Sequence, residues 1–482
     1  MAGRYLVHTF GCQMNAHDSD RMEEVLAAHG WTRAESPTDA DLIVLNTCSV
    51  REKAEQKLRS EVGKLAPLKA KNPELVLAVA GCVAQQEGEK LLSRIGYLDL
   101  VLGPDNIAEL PVLVAEQRDG APPRVRTVFD LEEPRFLRAA PRAGKSPVSA
   151  YVTTMKGCDE RCSFCIVPYT RGPERYRPAS EIIDEIARYV EAGTREITLL
   201  GQTVDSYCDP SLPPVSGGDP DESQFPALLR RIAEQVPKLA RLRYTSPHPR
   251  HLTPSLVAAH VELDVLARHV HMPVQSGSDR ILKRMIRRYT RAEYETRIRH
   301  LLSARAGLTL STDVIVGFPG ETESDFAETL EMVKALGFVG VFGFKYSPRP
   351  FTPALKLGDD VSEADKADRL RRLFEVSEAN TSAHLATLVG STQRVLVEGE
   401  SRANQTLQGR TERNEIVHVE DNTTHELVGE LIDVTILRAN KHSLFGQPTE
   451  DALASLKALG TSDARTRTKC ARPRRRTLTV VA

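Results

Sequence analysis

Two sets of three cysteines constrain this chain more than any other feature. Cys12, Cys48 and Cys82 stand far apart in its first third, each just after an apolar run. Cys158, Cys162 and Cys165 fall within eight residues as Cys-x-x-x-Cys-x-x-Cys. Thiolates are the usual ligands of iron–sulfur clusters, and three protein ligands leave one iron of a four-iron cube open. The pattern points to two clusters, each with a vacant position where a small molecule can bind, and so to chemistry more than to structure or electron storage.

Four disulfides are the competing use of the eight cysteines. The N-terminus, Met1-Ala2-Gly3-Arg4-Tyr5-Leu6-Val7-His8, has no apolar leader, and no run approaches the roughly 20 apolar residues of a membrane span. The chain reads as cytoplasmic, with no membrane contact, where a reducing environment favours metal-binding or catalytic cysteines. The 482 residues suggest two to four domains, and a hydrophobic fraction of 41% is enough for large cores. With 64 Lys+Arg against 65 Asp+Glu, overall charge says nothing about nucleic acid, so any such site must come from local clustering.

Residues 1–118 alternate strand and helix. Strands are expected at 5–10, 42–46 and 75–80, with helices from a cap at Asp18 or Ser19 to His29 and over 50–65. Short apolar strands separated by helices imply an open α/β domain with a parallel sheet. Ligands bind such sheets at the strand C-terminal ends, which share one edge. Cys12, Cys48 and Cys82 each follow such an end, so residues 36 and 34 positions apart can converge on one cluster. Three unrelated buried cysteines are the plainer alternative.

Residues 119–147, rich in Pro, Arg and Gly, read as a linker, with a short strand possible near 125–129. From 148 to 385 the alternation resumes six times, with strands expected at 151–155, 196–200, 242–245, 270–274, 309–316 and 340–346. Residues that look chemical follow these strands, as they do at the active face of a β/α barrel. Six units make a partial, open (β/α)6 barrel. Residues 206–223 read as a surface loop, and a charged helical stretch runs to about residue 388. Residues 386–450 hold short alternating strands at 393–398, 415–419 and 431–437, a small all-β barrel. The tail, 451–482, is basic, is expected to be disordered, and can touch phosphate by charge alone.

The close triplet could in principle hold zinc, but structural zinc needs a fourth ligand, and only distant candidates such as Cys208 exist. With the aromatic Phe164 before its last cysteine, the triplet resembles the radical S-adenosylmethionine signature, at the top of a β/α barrel where that signature belongs. The resemblance implies a [4Fe–4S] cluster on Cys158, Cys162 and Cys165 whose open iron binds S-adenosylmethionine. It also implies a radical that can abstract a hydrogen no side chain could remove as a proton near neutral pH. Gly201 and Gln202 resemble the segment that contacts the amino group of the cofactor; Asp313 and Gly317 are weaker candidates, with turn and strand roles equally open.

All three regions together resemble the methylthiotransferases of that superfamily, over about residues 4–447. The match is carried by Thr9-Phe10-Gly11-Cys12-Gln13-Met14-Asn15, Asn46-Thr47-Cys48-Ser49-Val50-Arg51-Glu52-Lys53-Ala54 and Lys156-Gly157-Cys158 through Thr170-Arg171-Gly172. It continues in Ser246-Pro247-His248-Pro249-Arg250, His271-Met272-Pro273-Val274-Gln275-Ser276-Gly277-Ser278 and Phe344-Lys345-Tyr346-Ser347-Pro348-Arg349. Two departures stand out: Phe351 where Gly is usual, and Thr203-Val204-Asp205 in place of an Asn-containing run.

Within the family the motifs look most like the branch that converts N6-isopentenyladenosine, at tRNA position 37 next to the anticodon, to its 2-methylthio derivative. The resemblance implies a second, auxiliary [4Fe–4S] cluster on Cys12, Cys48 and Cys82 and two equivalents of S-adenosylmethionine, one as methyl donor and one as radical source. The tRNA anticodon loop, an electron donor such as flavodoxin or ferredoxin, and a monomeric state go with it. The end module resembles a TRAM domain, through Val397-Glu398-Gly399, Gly409-Arg410-Thr411, Asn414 and Ser443-Leu444-Phe445-Gly446. Arg394, Arg402, Arg410, Arg413, Arg438 and Lys441 offer phosphate contacts there, against the alternative of an ordinary charged surface. A methylthiotransferase acting on a ribosomal-protein aspartate, an enzyme acting on threonylcarbamoyl-adenosine, and a non-catalytic iron–sulfur RNA-binding protein remain as rivals.

Overall fold

The computed structural model describes residues 3–50, 52–132, 134–139, 146–215, 219–401, 406–420 and 427–454. Arg51, Arg402, Cys470 and nearly all of the basic tail lie outside the described residues.

Six parallel strands build the N-terminal sheet, in the spatial order Thr32–Arg33, Arg4–Phe10, Leu42–Thr47, Val76–Gly81, Leu100–Leu102, Arg124–Arg126. Leu42–Thr47 and Val76–Gly81 are buried at every position, as central strands covered on both faces must be. One face packs Ile43, Leu45, Leu77 and Val79 against Leu58 and Val62 of the helix Glu52–Lys71. The other packs Leu42, Val44, Val76 and Ala78 against Met22 and Leu26 of Gln13–Ala28 and Leu113 and Val114 of Leu110–Arg118. The stretch read as a linker supplies the edge strand Arg124–Arg126, paired with Leu100–Leu102.

The first helix starts at Gln13 rather than near Ser19. Cys12 itself takes the N-cap position, and Asn15 closes a capping box that Ser or Asp more often supplies.

The second domain has six parallel strands in chain order: Ser149–Thr153, Glu196–Leu200, Arg241–Tyr244, His269–His271, Thr309–Val316 and Gly340–Lys345. They form two three-stranded halves, joined where Leu242 N–H donates to the Val265 carbonyl (2.7 Å) and Ala267 N–H to that of Leu242 (2.9 Å). The first and last strands are not paired among the described residues, so the barrel is open on one side. Helices cover the outside. In Ala179–Glu191, Ile182, Ile183, Ile186 and Tyr189 form the buried stripe that a period of 3.6 predicts. The first N-terminal helix packs beside the first barrel strand: a His17 ring nitrogen lies 3.2 Å from Thr153 Oγ1, and Arg21 donates to Tyr189 Oη at 2.8 Å.

A 25-residue helix, Glu363–Thr387, leads to a closed five-stranded barrel in the order Thr392–Glu400, Leu407–Thr411, Ile416–Val419, Leu444–Pro448, Leu431–Ala439. Two of its strands, Leu407–Thr411 and Leu444–Pro448, were not expected as strands. Each contains a glycine, Gly409 and Gly446, whose added Cβ would overlap a carbonyl oxygen of the neighbouring strand. Glycine ordinarily signals a turn, and here it permits close packing of backbones. Among the described residues no helix is long and apolar enough to cross a membrane.

Candidate metal and cofactor centre

Strand register brings the N-terminal cysteines together. Phe10 pairs with Thr47, and Thr47 pairs with Gly81, so three adjacent strands end at one level. Neighbouring parallel strands lie about 4.8 Å apart, and the next one or two residues on each are Cys12, Cys48 and Cys82. The approach is tight enough to require glycine before two of them. A Cβ on Gly11 (φ 145°) would meet the Cys48 Cβ at 2.5 Å, and one on Gly81 (φ 90°) would overlap Asn46 Oδ1 and reach the Thr47 carbonyl oxygen at 2.8 Å. Gly81→Ala is expected to cost about 2 kcal/mol and to displace Cys82, read as a lower Tm.

A buried amide network holds the ends in place. Asn15 Nδ2 donates to Asn46 Oδ1 (3.3 Å), and Asn46 Nδ2 donates to the Asn15 carbonyl (2.8 Å) and to Ser19 Oγ (2.9 Å). Beside Cys48, and helped by Arg171 against the effect of burial, the Cys12 thiol is drawn below its ordinary range, while Cys48 is pushed well up by Cys12 and burial. Burial raises Cys82 as well, with Arg171 opposing.

Arg171 is the residue that links the two cysteine sets. It closes the short helix Val167–Arg171 directly after Cys165, yet its Nη2 donates at 2.6 Å to Asp18 Oδ2 in the N-terminal domain. Both side chains are almost wholly buried. Burial alone would raise the Asp18 carboxyl, but the guanidinium prevails and holds it below the usual carboxylate range. Arg171 lies six positions after Cys165, so this ion pair ties the segment that carries the close triplet to the helix that Cys12 caps. Arg171→Ala leaves a buried carboxylate without its cation and is expected to cost about 3 kcal/mol, measured as a fall in unfolding free energy or Tm.

The close triplet lies in a loop pinned from several sides. Cys158 N–H donates to the Gly172 carbonyl (3.1 Å), Ser163 N–H to that of Met285 (2.9 Å) and Ala354 N–H to that of Ser163 (2.8 Å). Thr203 Oγ1 lies 3.0 Å from Cys158 Sγ, and Arg287 Nη1 donates to Cys162 Sγ at 3.3 Å. Burial pushes the Cys158 thiol up to about 12 and Cys165 higher still. Among the described residues, no three of His, Cys, Asp and Glu are grouped closely enough to hold a single metal ion.

Beside this loop lie buried polar groups without hydrogen bonds. Gln202 has both amide atoms shielded from water with no partner. Asp205 Oδ2 is likewise without a hydrogen-bond partner, whereas His248 Nε2 and Glu160 Oε2 lie 4.0 Å from each other. Asp205 Oδ1 accepts from His248 N–H at 2.7 Å. A Cβ on Gly201 would meet the Met155 side chain and Val204 Cα, so this backbone lies against the floor of the loop. Orphaned buried polar groups need a partner, and the amino-acid end and ribose of S-adenosylmethionine match that need. The other sequence candidates are engaged elsewhere. Phe164 packs edge-on to Phe318 in a small core, Asp313 pairs with His271 (3.3 Å), and Gly317 N–H donates to Glu321 Oε2 (2.6 Å).

Four of the five described arginines and lysines singled out for phosphate already face carboxylates. Arg410 pairs with Glu398, Arg413 with Glu415, Arg438 with Glu420 and Lys441 with Glu378. Arg394 is exposed. Sequence reasoning assigned no role to Arg171, Thr203, Arg287 or Arg349. Three of them lie in quoted motifs or departures, but pairs between residues far apart in sequence leave no local signature.

Strain marks the same region. Four of the five described non-glycine residues with positive φ, namely Ser246, Gln275, Ile286 and Phe351, lie in loops at the strand ends or beside the cysteine loop. Sparsely populated backbone conformations gather at functional sites.

Three family models match the chain: "Uncharacterized protein family UPF0004" over residues 4–103, the radical SAM superfamily over 152–333 and the TRAM domain over 386–449. A tRNA-2-methylthio-N(6)-dimethylallyladenosine synthase of Sorangium cellulosum (strain So ce56) is 61% identical over 500 residues, covering 99% of each chain. One of the same name from Ralstonia nicotianae is 44% identical, covering 93% of this chain and 98% of the relative. Among solved structures, the radical S-adenosylmethionine methyltransferase TsrM from Kitasatospora setae, with cobalamin and a [4Fe-4S] cluster bound, matches at a TM-score of 0.49 and 16% identity, over 73% of this chain and 77% of that one.

Proposed function

The chain belongs to the tRNA-2-methylthio-N(6)-dimethylallyladenosine synthase family, and from that premise we propose how its residues serve the reaction. It is a radical S-adenosylmethionine methylthiotransferase that acts on tRNA, placing a methylthio group on carbon 2 of N6-isopentenyladenosine next to the anticodon. Cys158, Cys162 and Cys165 hold the cluster that binds S-adenosylmethionine; Cys12, Cys48 and Cys82 hold an auxiliary cluster. When bound, these groups supply a hydrogen-abstracting radical, a methyl group and a sulfur atom.

This chain's own residues provide position and charge. Gly201 lets the backbone approach, and the Gln202 amide takes the polar end of the cofactor. Arg287 offsets the thiolate charge at Cys162, and Arg171 does so at Cys12 and Cys82 while tying the two loops together. The observation that supports the reading is the ion pair between Asp18, on the helix that Cys12 caps, and Arg171, six positions past Cys165, which ties the two cysteine-bearing segments together. A sulfur donor and a radical source must both reach one base, which two distant sites would not allow. The base must leave its stack to enter, at a cost lowered by the splayed geometry of an anticodon loop.

The TRAM barrel adds contacts along the RNA. Since most of its candidate cations are ion-paired, phosphate binding there requires exchange of partners, with Arg394 the readiest. The reading also includes two equivalents of S-adenosylmethionine, an electron donor such as flavodoxin or ferredoxin, a monomer, and work in the cytoplasm where tRNA is found. Relatives named for a tRNA product favour RNA over a ribosomal-protein aspartate as substrate. Nucleoside mass spectrometry tests this: tRNA from a deletion strain should lack the 2-methylthio group and regain it with the wild-type chain. Unchanged tRNA in the deletion strain would refute the assignment.

A further inference from the structure

We propose that Phe351 and Tyr169 form a stacking platform for the nucleobase next to the adenosine that is modified. The inference rests on tRNA being the substrate. Phe351 stands in the loop after Gly340–Lys345 with φ 68° and its side chain largely in solvent, 58% exposed. A bulky residue in the left-handed region is a genuine outlier, and an aromatic ring held in water gains little by burial. Neither backbone preference nor the hydrophobic effect explains this residue here.

The surroundings hold it there. Arg349 Nη2 donates to the Val50 carbonyl (3.0 Å) and its Nη1 pairs with Glu55 (3.2 Å), anchoring the loop to the segment after Cys48. Three residues past Phe351, Ala354 N–H donates to the Ser163 carbonyl, between Cys162 and Cys165. The loop thus bridges the two cysteine sets. The Phe351 ring lies 5.9 Å from that of Tyr169, tilted by 35°, and Tyr169 is itself 43% exposed. Tyr169 belongs to Val167–Arg171, the segment that joins Cys165 to Arg171. A pair of aromatic faces therefore stands at the seam where a target base must enter.

Charge nearby fits the same occupant. Arg161, next to Cys162, and Arg288, next to the Arg287 that binds Cys162 Sγ, are both exposed. Exposed aromatic rings together with exposed arginines on the cysteine loop suit single-stranded RNA, since every base offers a π-face and every nucleotide a phosphate. The neighbour of the extruded adenosine loses its own stacking partner, and these rings can replace it.

The test uses anaerobically reconstituted enzyme and an anticodon stem-loop RNA with N6-isopentenyladenosine, carrying 2-aminopurine as the adjacent base. Wild type should quench the 2-aminopurine fluorescence on binding. Phe351→Leu and Tyr169→Leu should lose that quench and raise Kd about 10-fold, while Phe351→Trp keeps both. Phe351→Gly removes the backbone strain, so its Tm should be unchanged or higher even as Kd rises. A filler role would instead lower Tm and affinity together. Leucine variants that quench and bind like wild type, or a Phe351→Gly that loses stability in step with affinity, overturn the inference while a wild type that methylthiolates tRNA leaves the function intact. A wild type that binds no RNA overturns both.

Discussion

Changing Cys158, Cys162 and Cys165 to alanine is expected to abolish formation of 5′-deoxyadenosine from S-adenosylmethionine under dithionite, to the level of a blank without enzyme. All three residues leave the same loop. Thr203 and Arg287 are the groups that touch the sulfurs, and a hydroxyl and a guanidinium cannot hold iron in their place. The loop itself should survive, because its hydrogen bonds to Gly172, Met285 and Ala354 run through backbone atoms that alanine keeps. Loss of activity with little loss of Tm is therefore the signature to seek by chromatography of the products and by thermal unfolding. Residual cleavage above the blank would show that the cofactor is activated elsewhere.

Alanine at Cys12, Cys48 and Cys82 should separate two activities. The methylthiolated nucleoside is expected to disappear, while reductive cleavage of S-adenosylmethionine persists. The N-terminal cysteines stand on strand ends of their own sheet, and the barrel loop takes its backbone partners from within the barrel domain. Arg171 and Arg349 join the two parts, and neither depends on a thiol for its ion pair with Asp18 or Glu55. Mass spectrometry of the RNA and assay of 5′-deoxyadenosine in one reaction decide the matter. Complete loss of cleavage in these variants, with the barrel cluster still present by its spectrum, would contradict the division of roles.

Much of this was legible in the chain because the chemistry sits where local patterns end. Apolar runs mark the strands, and a cysteine one or two residues beyond marks the edge. The register from Phe10 through Thr47 to Gly81 then follows from parallel pairing. What escaped notice depends on contacts across space. The helix after Cys12 began early because a cysteine and Asn15 did the capping, a combination that propensity does not flag. Two barrel strands, Leu407–Thr411 and Leu444–Pro448, were not expected, and each carries a glycine, a residue depleted in strands, that here lets neighbouring backbones approach. The arginines of the end module looked free in sequence, but Glu398, Glu415 and Glu420 face them in the fold. Arg171 carried no visible role until Asp18 was found opposite it.

Iron and acid-labile sulfide, counted after anaerobic reconstitution of the wild type and of each triple-alanine variant, test the two-cluster arrangement. Wild type should hold about eight iron and eight sulfide per chain, and each variant about four. A colourless, iron-free wild type, or one whose iron is unchanged when either triplet is removed, would contradict it.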